Sequence, residues 1–250
     1  MSFTALILAG SRGGRDPLAL HAGVSDKALI EIGGATMLSR VVGALRDAGA
    51  LRIFVSVSSE AVRHHAEALG TLPLSAVAGP SASTREGLAR AGAPLLLTTA
   101  DHALLRSEWV RDFIERVPDT DVTALLAERS VVERDAPATR RTWLRFADGD
   151  WSGCNLFWLA TPAADAALAL WSAVERDRKR PWRIVRRLGP GLLLRYLLGR
   201  LTLAEAVAAL GRRAGVSARI VASPFGLAAV DVDKPADLDL VRGLVDAGAA

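Results

Sequence analysis

The sequence predicts an α/β fold, with one mostly parallel central sheet covered by helices. Apolar runs of strand length alternate along the chain with segments whose apolar residues recur at spacings of three and four. That alternation is what a parallel sheet with helical crossovers leaves in a sequence. The 250 residues suffice for a sizeable core. No internal repeat and no long linker interrupts them, so a single domain over residues 1–250 is expected.

Strands are expected near 3–9, 51–57, 73–77, 94–99 and 121–126, because each is a short run rich in Leu, Ile, Val and Phe bounded by polar or turn residues. Between them, 36–48, 60–69, 83–91 and 107–117 carry the helical period. Beyond residue 127, Trp143 to Phe146 and Leu156 to Leu159 read as strands that extend the sheet, followed by a helix over about 162–175. A helical, basic and apolar insertion is expected at about 175–213: residues 175–200 hold nine cations, two acids and a Gly189-Pro190-Gly191 break. A helix over 202–213, a strand over 217–222, the segment 227–232 and a helix from Ala236 complete the chain.

Composition excludes several classes. The net charge of +4 invites a nucleic-acid reading, but aromatic residues are only 5% and no nucleic-acid-binding motif is present. Only Lys27, Lys179 and Lys234 are lysines, so arginine does the ordinary surface work. No nucleic-acid partner is expected. The apolar runs fall short of the roughly 18 residues of a membrane span. The N-terminal stretch lacks the basic start and cleavage site of a secretory signal, and a lone Cys154 excludes internal disulfides and multi-cysteine metal sites. A cytoplasmic location is expected.

The first strand ends in Leu8-Ala9-Gly10-Ser11-Arg12-Gly13-Gly14-Arg15, and Asp26-Lys27 precedes a second apolar segment. Glycines let backbone approach a ligand, and loop N–H groups can cradle phosphate oxygens. The pattern is neither the phosphate loop with Gly-Lys-Ser/Thr nor the dinucleotide fingerprint. It resembles the N-terminal signature of nucleotidyltransferases with a Rossmann-like, three-layer GT-A fold, and its Asp-Lys pair resembles the MobA-like branch. The resemblance implies that backbone at Leu8, Ala9, Gly10, Ser11, Gly13 and Gly14 meets the nucleotide, while Arg15 and Lys27 hold the triphosphate. Arginine's fork and lysine's point charge suit that task independently. Eleven residues separate Arg15 from Lys27, more than the family spacing, so 17–22 would form a lid or meet the acceptor, with His21 exposed.

Three further segments follow the family's order. Gly79 to Leu88 resembles the base-pocket segment of cytidylyltransferases, with Gly79 and Ser83 toward the nucleotide; Ser83 with Glu86 equally reads as a capping box. Asp101 follows a buried apolar strand, where open α/β sheets bind ligands. Relatives carry a Mg²⁺-binding aspartate there in Asp-x-Pro, and here the run is Asp101-His102-Ala103. Asp231-Val232-Asp233-Lys234-Pro235 matches a closing motif, and extended alternation sends Asp231 and Asp233 to one side. By resemblance Asp233 is the second metal ligand, Asp231 the fallback, and Asp237 belongs to the start of the last helix. Ser152 to Phe157 resembles the acceptor side, placing Asn155 toward nucleotide or acceptor, with Cys154 a packed thiol.

The resemblance implies a Mg²⁺-dependent transfer of a nucleoside monophosphate from an NTP, CTP or GTP favoured, to a phosphorylated small-molecule acceptor, with release of pyrophosphate. An arginine-rich segment with Trp182 and leucines also fits peripheral membrane contact through 176–200, which would suit a lipid-linked acceptor. Two rivals remain at this stage: a GT-A glycosyltransferase using a nucleotide sugar, and a non-catalytic nucleotide-binding regulator.

Overall fold

A computed structural model describes residues 2–10, 16–137, 139–176 and 189–248. The chain runs β1 (Phe3–Leu8), α1 (Pro17–His21), a 3₁₀ turn (Lys27–Leu29), the hairpin β2 (Glu31–Ile32) and β3 (Ala35–Thr36), α2 (Met37–Asp47), β4 (Ala50–Val57), α3 (Glu60–Ala68) and β5 (Leu72–Ser75). It continues through α4 (Pro80–Ala91), β6 (Leu95–Thr99), α5 (Ser107–Glu115), β7 (Val122–Glu128), α6 (Arg129–Asp135), β8 (Leu144–Phe146), β9 (Gly149–Leu159) and α7 (Ala164–Arg176). After residue 188 come α8 (Pro190–Leu197), α9 (Leu203–Ala214), β10 (Ala218–Ser223), a 3₁₀ turn (Gly226–Ala229) and α10 (Pro235–Asp246).

The main sheet has the order β10-β7-β9-β6-β1-β4-β5, with β8 hanging on β9. The pairs β1/β4, β1/β6, β4/β5 and β7/β10 are parallel, and only β9 runs antiparallel to both of its long neighbours. β1 is buried on both faces, which is why it reads as a continuous apolar run rather than an alternating one. Ala5 and Ile7 face the core built with α2, α3, α5 and α10; Leu6 faces a second core with Leu88 of α4 and Leu168 of α7. Gly87 is the close-approach point of that second layer: a Cβ there would lie 2.3 Å from Leu6 Cδ2.

Local chemistry sets the element ends. The Thr36 hydroxyl accepts the Ser39 N–H at the start of α2, the Ser59 hydroxyl accepts that of Val62 in α3, and Thr202 with Glu205 forms a reciprocal capping box on α9. Asp121 staples three strand ends, its carboxylate accepting the Ser217 N–H at 2.8 Å, the Ser217 hydroxyl at 2.7 Å and the Thr161 hydroxyl at 2.6 Å. Those donors hold its carboxyl down to about 2.

The predicted strands and long helices all form, with small shifts at their ends. One local reading is corrected. Ser83 caps no helix, because α4 starts three residues earlier: Gly79, at φ 96°, precedes Pro80, whose ring presets the first turn. Residues 17–21 form a short helix capped by Asp16 and pinned by buried Leu18 and Ala19, with His21 exposed. Of the expected insertion, α8 and α9 are present, while Trp182 to Leu188 lie outside the described residues. α8 exposes Leu194 and Leu197, and Leu198 follows them at its end. Among the described residues no helix is long and apolar enough to cross a membrane.

Candidate active site

The parallel strands β1, β4 and β6 all end at one edge, and a cavity of about 740 Å³ opens there. Backbone hydrogen bonds beyond the strands set its floor. Ala9 N–H reaches the Ser56 carbonyl at 2.9 Å, Ala76 N–H the Val57 carbonyl at 2.8 Å, and Ala100 N–H the Leu8 carbonyl at 3.0 Å. Leu8, Ala9, Gly10, Lys27, Gly79, Ser83, Asp101 and Asp233 all line the cavity, so sequence segments separated by more than 200 residues converge on it. Ser11, Gly13, Gly14 and Arg15 lie outside the described residues. Gly10 is needed for shape: a Cβ there would stand 3.1 Å from that of Ala76 and narrow the slot between the two loops.

The charged centre is compact. Lys27 Nζ donates to Asp101 Oδ2 at 2.5 Å and to Asp233 Oδ1 at 2.8 Å. Thr99 Oγ1 donates to the other Asp101 oxygen at 2.5 Å. The Asp233 segment is tied to Asp101 through the main chain, since Val232 N–H donates to the Asp101 carbonyl at 3.0 Å. Asp237 secures its far side, accepting the N–H groups of Asp233 and Lys234 at the start of α10. Burial works against the Lys27 ammonium, but the charges and hydrogen bonds of Asp101 and Asp233 outweigh it and raise its pKa. Lys27 is therefore charged throughout the neutral range.

Asp231 and Asp233 serve different partners. Asp231 accepts from the Arg141 guanidinium and, at 3.0 Å, from the Asn155 amide. Burial pushes its carboxyl up, yet Arg141 and Asn155 more than compensate and leave it below the ordinary carboxylate range. Asn155 takes a left-handed backbone, φ 50°, where the β7/β9 register shifts between Ala124 and Leu126. Such bulges re-aim side chains beside active sites, and here the amide is turned onto Asp231. His102, beside Asp101, is fully buried against Trp109, and burial holds its imidazole down to about 4; Ala103, also buried, stands where Asp-x-Pro would have its proline. Burial likewise pushes the Cys154 thiol up, so it packs as a neutral group.

Ser83 shapes the cavity rather than offering a free hydroxyl, because its Oγ accepts the Val77 N–H at 3.0 Å and donates to the Val77 carbonyl at 3.3 Å. The sequence reading missed Asp26 and Arg141. Asp26 is buried, lines the cavity and accepts from the Ser59 hydroxyl at 2.9 Å; its signal was its place beside Lys27. Arg141 meets an acid 90 residues away and has no local signature.

No curated protein matches the chain. Among solved structures, it is similar to a hypothetical transferase from Thermus thermophilus, with 33% identity and a TM-score of 0.81 over 95% of this chain and 100% of that one. It shares its fold with a CMP:2-keto-3-deoxy-manno-octonic acid synthetase complexed with CTP (17% identity, TM-score 0.60, 99% and 100% covered). The fold also matches Rv0371C of Mycobacterium tuberculosis H37Rv, solved as a complex with manganese (18% identity, TM-score 0.53, 96% and 97% covered). The family model for the MobA-like NTP transferase domain matches residues 5–222. A match over that much of the chain, on a fold that gathers Lys27 and the cavity's acids at one sheet edge, makes this protein a nucleotidyltransferase and a member of the MobA-like NTP transferase family.

Proposed function

We propose that the protein transfers a nucleoside monophosphate from an NTP, with CTP or GTP favoured, to a phosphate-bearing small molecule. An acceptor phosphate oxygen forms a bond to the α-phosphorus, the bond from that phosphorus to the bridging oxygen of the β-phosphate breaks, and pyrophosphate leaves with the electron pair. The attacking phosphate is ionised at neutral pH, so no general base is required. Catalysis then rests on positioning and on charges aimed where negative charge builds up.

The observation that carries this reading is the meeting of Lys27, Asp101 and Asp233 at the mouth of the cavity. Two carboxylate oxygens that share one ammonium nitrogen are hard donors spaced to share one cation. A pair of carboxylates is a donor set that suits Mg²⁺, an ion that keeps several waters. Asp101 and Asp233 would hold it, and when bound it would bridge and screen the phosphates. Asp231 is committed to Arg141 and Asn155, so in this reading it supports Asp233 rather than the metal. Lys27 and Arg15 hold the triphosphate, the backbone of Leu8 to Gly10 and Gly79 receives the nucleoside, and Ser83 keeps the Val77 turn in place. The relative bound to CTP and the relative bound to manganese support the pyrimidine nucleotide and the divalent ion as first candidates.

The test is calorimetric titration of ATP, CTP, GTP and UTP with Mg²⁺ into wild type and Asp101→Asn. One nucleotide is expected to bind at micromolar strength and to weaken on substitution. Binding of a nucleotide sugar in place of any NTP would overturn the proposal.

A further inference from the structure

The single ammonium group of Lys27 lies where a cation shared by Asp101 and Asp233 would lie. Both carboxylates present an oxygen to it within 2.8 Å, and among the described residues no other cation pairs with either. Asp231, the neighbouring acid, is already neutralised by Arg141. Among the described residues, the two carboxylates thus share one paired ammonium. A divalent ion must compete for the same oxygens with a charge tethered to the chain, and ion and ammonium repel each other at such separation.

Lysine can leave, because it is a point charge on a flexible four-carbon stem, here rooted in a short 3₁₀ turn and lining the cavity. It will leave only for another anion. We infer that Lys27 is an exchangeable internal counterion, holding the cation position of the Asp101–Asp233 pair until a triphosphate draws it away. This inference rests on the reading of the pair as a metal site. Its consequence is that metal and nucleotide bind with positive coupling through one side chain: the nucleotide offers Lys27 new partners, and the two carboxylates are released to the ion. Each ligand favours the same displaced position of Lys27, and that differential contact is what coupling requires.

The test reads metal binding without nucleotide or turnover. Mn²⁺ alone is titrated into wild type, Lys27→Gln and Lys27→Met, following the free-ion signal by electron paramagnetic resonance. Both variants are expected to bind Mn²⁺ about tenfold more tightly than wild type, within the usual range of coupling between sites. Adding Asp101→Asn to Lys27→Gln is expected to abolish the gain, tying it to this pair. Equal or weaker binding by both variants overturns the inference, even if NTP titration succeeds; failure of every NTP to bind, with the tenfold gain intact, overturns the proposed NTP substrate and the coupling to it, and leaves Lys27 as a counterion that competes with the metal. The wild type supplies a control against misfolded variants, since three lysines give three labelled side-chain signals by NMR. The Lys27 signal is expected to stay with low Mg²⁺ and to move with Mg²⁺ and CTP or GTP together; movement with low Mg²⁺ alone overturns the inference.

Discussion

Replacing Arg141 by Met removes the cation facing Asp231 while keeping much of the apolar stem. The two side chains are 12% and 15% exposed, so the pair is shielded from water and salt. Stripping one partner from such a pair costs about 3–5 kcal/mol. Asp231 keeps the Asn155 amide at 3.0 Å, which places the expected loss at the low end, about 3 kcal/mol, or about 9 °C in melting temperature for a chain of this size. The pH dependence carries the reasoning further. In the wild type the Asp231 carboxyl lies below its unfolded value, so its contribution is present above the ordinary carboxylate pKa and is lost as pH falls through the folded value. Without Arg141, burial raises the folded value above the unfolded one, and protonation then relieves the variant. The stability gap between variant and wild type is therefore expected to narrow from pH 7.5 to pH 5, and Asp231→Asn in the Arg141→Met background is expected to recover about half of the loss. Urea denaturation followed by circular dichroism measures all three. A gap below about 0.5 kcal/mol, or one that widens on acidification, would refute the argument.

Two other substitutions probe the frame. Asp121→Ala removes the acceptor of three donors at the ends of β7, β9 and β10, and is expected to cost about 2 kcal/mol at pH 7 by chemical denaturation. Because the Asp121 carboxyl is held down to about 2, its contribution stays intact above the unfolded carboxylate range and fades only as pH falls toward 2, so the cost should be unchanged between pH 5 and 7. Gly87→Ala puts a methyl group 2.3 Å from Leu6 Cδ2; overpacking less the helix-propensity gain leaves a loss of about 1.5 kcal/mol, and Leu6→Val in the same chain should return part of it.

The frame was legible because its signals are local. Strand runs such as Leu95 to Thr99 are apolar throughout, helices such as α5 carry a clean period, and Asp101 stands immediately past a strand end, where the fold itself puts ligands. Motif order put Lys27, Asp101 and Asp233 at one site, but not the pairing of Lys27 with both acids. What depends on distant partners was hidden. Nothing in Thr139-Arg140-Arg141 announces an acid 90 residues on, and asparagine's general tolerance of the left-handed region does not single out Asn155 inside a strand; a tertiary contact, the Asp231 carboxylate, lies opposite both. Of the two readings of Ser83, the capping box fails because serine followed by glutamate three residues later carries the same local signal whether the helix starts there or, as here, earlier at Pro80.

The one reversed strand orders assembly in time. β1, β4, β5 and β6 are complete by residue 99 and can pair as soon as they leave the ribosome, whereas β7, made next, has no place beside β6. Residues 157–159 must first be synthesised, fold back and zip against Leu95 to Leu97 on one side and Val122 to Ala124 on the other. Until then Leu95-Leu96-Leu97 forms an open, apolar sheet edge, the kind of edge that invites pairing with another chain. A ribosome that stalls after Leu95 to Leu97 have emerged and before residues 157–159 have done so would expose this edge, so that window is where slow translation should most promote aggregation of this protein.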